Sequence, residues 1–433
     1  METVTQPRKI YVESTTKCNL SCTTCIRNVL DEELGDMSLA LFKRLLPSFR
    51  DANMVNLSGF GEPLLHPDIF EMVRLTKKHG GEATQVGFNT NATLLTETET
   101  RKLVSSGLDV LIASIDGIQP ETLKKIRPGA HLPQILASIE KLAKTKARTG
   151  SDRPQVGLEF VAMTDNVEEL PKLVEVASSI GVNFVVVSNL IPYTEPMEKK
   201  ILYEFNSILA VQTMERATTE AKKSGISLDP DEVARYILKS SRFSRSYIED
   251  RESDALCKLL DGAREHAKTL GVEINLLSLA GRDRERLEEA KETFEEARLT
   301  ARRLNLQLEL PVLTPRSDRR CAFTWDNGCC VSWDGYVEPC LRYMHSHQYH
   351  MFNRPRLVPR LSFGNVQSES LEHIWNSEAY KRFRSRVVNM DIPSCIDCIY
   401  IEDCWYTWVG ADCWASGHSC SACLWSRGIF KCL

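Results

Sequence analysis

Ile10-Tyr-Val-Glu13-Ser-Thr-Thr-Lys-Cys18-Asn-Leu-Ser-Cys22-Thr-Thr-Cys25 runs a short apolar segment directly into three cysteines. The apolar part reads as a strand, which puts the cysteines on the loop leaving its carboxyl end. Three thiolates within eight positions can wrap one small metal body, and sulfur ligation favours iron–sulfur or zinc. A structural zinc site normally recruits four protein ligands. No fourth Cys or His stands nearby, the next histidine being His66. Three ligands on a four-iron body would leave one iron open to a substrate. That asymmetry makes Cys18, Cys22 and Cys25 candidate catalytic as well as metal-ligating residues.

Outward from this loop, apolar runs at 10–13, 54–58, 85–89, 110–115, 156–162 and 184–188 alternate with helical patterns at 38–49, 68–78, 97–106, 132–146 and 167–180. The runs are continuously apolar, as strands covered on both faces tend to be. Gly80, Gly107 and Gly181 close several of the helical patterns. Six β-α repeats predict an α/β fold with parallel strands and right-handed crossovers, either a partial (β/α) barrel or an open wound sheet. In both, ligands sit at the carboxyl ends of the strands, where the cysteine loop falls.

Residues 192–310 are charged and read as a helical insertion, with Leu287, Ala290, Phe294, Ala297, Ala301 and Leu304 forming one apolar stripe. Leu306, Leu308 and Leu310 then alternate as a strand should. After Pro315 the composition turns to Cys, Trp and other aromatics. The expected division is therefore 1–191, 192–310 and 311–433, the last a cysteine-rich module with one helical stretch at 371–384. Eleven of the 15 cysteines fall between Cys321 and Cys432, whereas Cys257 stands alone as a small buried hydrophobe.

The 433 residues carry 54 basic and 58 acidic side chains, a net charge of −4 that gives no whole-chain attraction to nucleic acid or anionic lipid. No apolar run approaches the ~18 residues of a membrane span. The stretch from Met1 to Lys9 lacks the core of a signal peptide. A soluble, cytoplasmic protein with neither a nucleic-acid nor a membrane partner is expected. Cytosolic thiols stay reduced, so the cysteine groups read as metal ligands rather than disulfides.

The CxxxCxxC loop after the first strand resembles the signature of the radical S-adenosylmethionine (radical SAM) enzymes. The resemblance implies a [4Fe–4S] cluster on Cys18, Cys22 and Cys25, whose open iron chelates S-adenosylmethionine for reductive cleavage to a 5′-deoxyadenosyl radical. Thr24 departs from the pattern, which usually has an aromatic residue before the third cysteine. Gly59-Phe-Gly61-Glu62-Pro matches the family's glycine-rich segment after strand two. By the same resemblance Gly59, Gly61, Glu62, Asn91, Ser114, Asp116 and Arg127 hold the cofactor, although each polar residue alone would also serve as a cap or turn former. The resemblance covers Lys9 to about Leu190.

Cys321-x13-Gly335-x4-Cys340 and Cys395-x2-Cys398-x5-Cys404 resemble the SPASM pattern found behind many such domains. It implies one or two auxiliary [4Fe–4S] clusters, with Cys321 and Cys340 in the first and Cys395, Cys398 and Cys404 in the second. The pattern's next cysteine is replaced by Trp408, and Cys413, Cys420, Cys423 and Cys432 are the thiols left to complete the sets. Cys329 and Cys330 are adjacent and awkward as ligands of one cluster. A zinc ribbon on Cys395, Cys398, Cys420 and Cys423 is the competing reading. His345, His347 and His350 form a second metal-like grouping, for which a polar loop is the preferred reading, and Trp405, Trp408, Trp414 and Trp425 read as packing around the metal sites.

Cys22-Thr-Thr-Cys25-Ile-Arg-Asn28, Ser188-Asn-Leu-Ile-Pro-Tyr193 and the segment from Cys420 to Cys432 are similar to the maturases encoded with tungsten-containing aldehyde:ferredoxin oxidoreductases. That implies a pterin-cofactor or protein substrate and an electron donor such as ferredoxin or flavodoxin. A peptide-modifying SPASM enzyme is the alternative chemistry. A non-catalytic iron–sulfur or zinc carrier is the alternative class, distinguished by forming no 5′-deoxyadenosine.

Overall fold

A computed structural model describes residues 5–240, 254–401, 404–418 and 420–431. Cys432, one of the thiols left over by the cysteine pattern, lies outside them. The predicted strands form β1 (Lys9–Val12), β2 (Met54–Asn56), β3 (Gln85–Thr90), β4 (Val110–Ser114), β5 (Gln155–Ala162) and β6 (Phe184–Asn189). Each is parallel to its predecessor, in unbroken order from β1 to β6. An order that never reverses, joined by right-handed crossovers, puts the helices on one face and bends the sheet toward a barrel, unlike a doubly wound sheet.

Two prolines decide local detail. The predicted helix 38–49 breaks into Leu39–Lys43 and Leu46–Phe49 because Pro47 lacks an N–H to continue the first segment, and Ser38 caps it by accepting from the Leu41 N–H. Pro171 likewise sits in the first turn of Leu170–Ser179, after a separate 3-10 turn at Val167–Glu169. Helix Glu97–Ser106 starts on Thr96 and ends at Gly107, whose φ of 85° is the left-handed stop that glycine supplies without strain.

The stretch 192–310 divides in two. Helices Ile208–Lys223, Pro230–Ser240, Ala255–Thr269 and Leu276–Ala280 surround a small core of their own that includes Met214, Tyr236, Leu260 and the fully buried Cys257. Helix Arg284–Arg303 instead buries its stripe of Leu287, Ala290, Phe294, Ala297 and Ala301 in the main core, against helix Leu170–Ser179. It leads into β7 (Gln307–Glu309), which extends the sheet in parallel beside β6.

The C-terminal module is built onto the same sheet. β8 (Gly328–Val331) pairs in parallel with β1, and β9 (Val337–Glu338) turns back antiparallel on β8. Cys329 and Cys330 are thus consecutive strand residues opposite Ile10 and Tyr11, both fully buried and on opposite faces. Beyond them, β10 (His347–His350) and β11 (Pro355–Val358) form a hairpin. Helices Leu371–Asn376 and Glu378–Val388 follow, separated by Ser377, which caps the second. Among the described residues beyond them are short 3-10 turns at Trp405–Thr407, Cys420–Ala422 and Trp425–Arg427. Asn189 at the end of β6 ties this tail down by donating to the Ile429 carbonyl (3.0 Å).

Candidate active site and cysteine groups

The loop after β1 and the glycine segment after β2 are zipped together by backbone. Gly61 N–H donates to the Thr15 carbonyl (3.1 Å) and Glu62 N–H to the Lys17 carbonyl (2.8 Å). A Cβ on Gly61 would lie 2.4 Å from the Thr15 oxygen, so only glycine admits this approach. The space that glycine leaves at position 61 is therefore taken by the cysteine loop itself. Glu62 is buried and accepts from Thr90 Oγ1 (2.7 Å), Asn91 N–H (2.7 Å) and Leu64 N–H (3.1 Å), locking the end of β3 to the glycine segment.

These loops and the strand ends enclose a cavity of about 280 Å3. Cys18, Cys22, Cys25, Gly59, Gly61, Glu62, Asn91, Ser114 and Arg127 all line it. Asp116 stands behind: fully buried, it receives Arg127 Nε at 2.7 Å on one oxygen and the Val161 N–H at 2.8 Å on the other. Arg127 is thereby held with a guanidinium nitrogen 4.0 Å from Cys22 Sγ. Sequence reasoning missed Asn89 and Glu159, which also line the cavity and are joined by a 3.0 Å hydrogen bond. Glu159 was detectable as the one charged residue in the apolar run 156–162. Lys431 reaches the same cavity from the C-terminal tail, a placement with no local sequence signal.

Burial pushes the Cys22 thiol up to about 11, with Arg127 pulling against it, and raises Cys25 as well. The free Cys22 and Cys25 thiols are therefore protonated at neutral pH. A soft metal body would displace those protons, and Arg127 would stabilise the thiolate charge created. The donor set fits: three soft thiols beside a cavity with a buried guanidinium, and no fourth Cys or His lining it among the described residues.

The remaining ligand candidates form two sets of four. Cys395, Cys398, Cys404 and Cys413 share a cavity of about 310 Å3. Cys340 lies within the electrostatic reach of Cys321, Cys420 and Cys423, and burial raises its thiol well above the ordinary range. Burial, with Cys423 and Cys321 adding to it, pushes the Cys420 thiol up to about 12. This grouping favours the cluster reading over the zinc ribbon, because Cys395 and Cys398 share a cavity with Cys404 and Cys413, whereas Cys420 and Cys423 act electrostatically on Cys340 together with Cys321. Among the described residues, no three Cys, His, Asp or Glu side chains are arranged to hold a single metal ion. The cavity-lining quartet leaves the room a multi-iron body needs. Trp408, where the SPASM pattern has cysteine, is half-exposed, and Cys413 five residues on joins the set.

Two other expectations are revised. Trp408 and Trp414 are exposed rather than packed around metal sites; Trp405 lines the cavity of the Cys395 set although its outer side is exposed, and Trp425 packs on the core against Phe430. His345 and His347 are buried, not part of a polar loop. His345 Nε2 meets Glu13 (2.8 Å) and Nδ1 meets Glu32, so both ring nitrogens face carboxylates and the ring is held as imidazolium. Glu13 also accepts from the Phe60 N–H (3.1 Å), which links the C-terminal module to the glycine segment.

Burial works to lower the His345 pKa, but the two carboxylates outweigh it and the net shift is upward from 6.5. The clamp's stabilisation is therefore complete below about pH 6.5 and is lost as pH rises through the higher folded value. His345→Gln should destabilise by about 3 kcal/mol at pH 6. It should also flatten the pH dependence of the thermal midpoint above neutrality. An unchanged pH profile in that variant would contradict the clamp.

Residues 12–177 match the family model of the Radical SAM superfamily, and residues 321–399 match SPASM, an iron–sulfur cluster-binding domain. The chain belongs to the radical SAM superfamily. This radical SAM enzyme is 28% identical over 428 residues to a "Tungsten-containing aldehyde ferredoxin oxidoreductase cofactor-modifying protein" of Pyrococcus furiosus, covering 98% of this chain and 96% of the other. It is 34% identical over 191 residues to an "AdoMet-dependent heme synthase" of Methanosarcina barkeri, covering 43% and 51% of the two chains. The fold is shared with Streptococcus suis SuiB bound to S-adenosylmethionine, at TM-score 0.51 and 12% identity over 93% of this radical SAM enzyme and 73% of SuiB. Its cofactors are a [4Fe–4S] cluster with S-adenosylmethionine and the auxiliary iron–sulfur clusters of the SPASM module. Among the described residues, no helix is long and apolar enough to cross a membrane.

Proposed function

We propose that this radical SAM enzyme modifies the pterin cofactor of a tungsten oxidoreductase, or that oxidoreductase itself. The observation that carries the reading is the end-to-end likeness to the Pyrococcus furiosus cofactor-modifying protein, which spans both iron–sulfur modules and the helical insertion between them. When bound, the cluster and S-adenosylmethionine supply a 5′-deoxyadenosyl radical that abstracts hydrogen. Cys18, Cys22 and Cys25 hold that cluster, and Arg127 compensates the thiolate charge. Glu62 fixes the Thr90–Asn91 strand end, while Gly59, Asn91 and Ser114 present backbone and polar groups to S-adenosylmethionine. Cys321, Cys340, Cys420 and Cys423 hold one auxiliary cluster, and Cys395, Cys398, Cys404 and Cys413 the other. A ferredoxin or flavodoxin supplies electrons, and the cytoplasm is the compartment that keeps 15 cysteines reduced.

The test is anaerobic incubation with a tungsten oxidoreductase isolated without its mature cofactor, followed by mass spectrometry of pterin and protein. A new mass on either one, dependent on S-adenosylmethionine, is expected. An unchanged pair alongside active 5′-deoxyadenosine formation would overturn the substrate assignment. In the same assay, folded Cys340→Ala or Cys398→Ala protein should lose about four irons and suppress substrate turnover. Uncoupled S-adenosylmethionine cleavage should survive in both. Wild-type turnover with an auxiliary cluster missing would make that cluster purely structural.

A further inference from the structure

We propose that Arg356 is the counter-charge of the iron–sulfur body held by Cys395, Cys398, Cys404 and Cys413, and that it sets how readily that body accepts an electron. The inference rests on reading those four cysteines as cluster ligands. Arg356 lies on β11, in register with Tyr349, and is only 3% exposed. Its Nε and Nη2 have no hydrogen-bond partner among the described residues, yet it lines the same cavity as the four thiols. A guanidinium cannot shed its proton, and burying it unpaired is unfavourable. A charge left open toward four thiols calls for an anion in that cavity.

The other charged neighbours do not fill the role. The buried Asp412 carboxylate also lines the cavity, but its Oδ1 accepts from the Trp414 and Ser416 N–H groups and no hydrogen bond joins its unpartnered Oδ2 to Arg356. Glu198 stands close enough for Arg356 to offset the upward push of burial on its carboxyl, but one of its own oxygens is also unpartnered. Arg342 lines the cavity too, but donates to Tyr349 Oη at 3.1 Å and also lies near Cys420 and Cys423 of the other set. Among the charged groups acting on Cys395, Arg356 opposes the thiol's burial most.

Four thiolates around an iron–sulfur core make an anionic body, and one-electron uptake adds a further negative charge. A fixed cation beside it stabilises the reduced form more than the oxidised form and raises the potential. The electron comes from an added reductant, and no bond forms or breaks.

Potentiometric titration of the full-length, reconstituted protein, read by electron paramagnetic resonance, tests this. The relevant signal is identified as the one missing from Cys398→Ala. In Arg356→Gln the reduction equilibrium constant should fall about tenfold, a shift of 59 mV to more negative potential. In Arg356→Lys, which keeps the charge, it should stay within about twofold of wild type. The signal lost in Cys340→Ala should not move in either variant. A wild-type potential in Arg356→Gln, or an equal shift in both variants, overturns the assignment. If Arg356→Gln binds no iron at this set, Arg356→Lys decides alone. Wild-type loading and potential support the inference, and failure of either overturns it. Should Cys398→Ala leave iron content and spectrum unchanged, the cluster reading itself falls, which separates the two failures.

Discussion

Replacing Cys18, Cys22 and Cys25 together by alanine is expected to abolish 5′-deoxyadenosine formation while leaving the auxiliary iron bound. The three thiols are the sulfur donors at the cavity that also contains Arg127, Glu62 and Asn91, and among the described residues no other cysteine lines it. The two quartets belong to the C-terminal module, and none of their cysteines borders this cavity. Iron analysis of the triple variant should therefore show a loss of about four irons, with the rest retained. Single alanine variants should behave alike, since two thiolates leave a four-iron body with two open irons. Retained 5′-deoxyadenosine in the triple variant would remove the radical assignment from this loop.

The second large effect is expected at the buried pair Asp116–Arg127. Their side chains are 0% and 12% exposed, and Asp116 holds Arg127 protonated against the opposing effect of burial. Removing either partner leaves an uncompensated buried charge, which costs about 3–5 kcal/mol. Arg127→Met should be destabilised by that amount and should lose about 10- to 100-fold in S-adenosylmethionine cleavage, as expected when a group supporting a metal site is removed. Asp116→Asn should be similarly unstable. The double variant should recover most of the stability, because the two charges of the pair are removed together, yet stay as inactive as Arg127→Met. Denaturation of all three variants beside a 5′-deoxyadenosine assay checks this. Recovery of activity in the double variant would show that the pair is structural only.

The barrel was legible because buried parallel strands are written as unbroken apolar runs and their helices end at glycine. Strand ends such as Val110 and Phe184 were located to the residue for that reason. The cysteine loop was legible because its spacing is local. What escaped depends on partners far away in the chain. Gly328-Cys-Cys-Val331 holds two adjacent cysteines that are awkward as ligands, and only its pairing with Lys9–Val12 makes it a strand. The stripe on helix Arg284–Arg303 announces a buried face without saying that Leu170–Ser179 covers it. His345 is satisfied by carboxylates at positions 13 and 32, more than 300 residues earlier. The SPASM resemblance already separated Cys321 and Cys340 from Cys395, Cys398 and Cys404; what it left open was which later cysteines complete each set, because the fold decides which loops meet.

The most direct test of three separate cysteine groups is the metal content of the wild-type chain after anaerobic reconstitution, measured together with acid-labile sulfide and zinc. Sets of three, four and four thiols predict about 12 irons and as many sulfides per chain, with no tightly held zinc. About four irons with one retained zinc would contradict the grouping and restore the ribbon on Cys395, Cys398, Cys420 and Cys423.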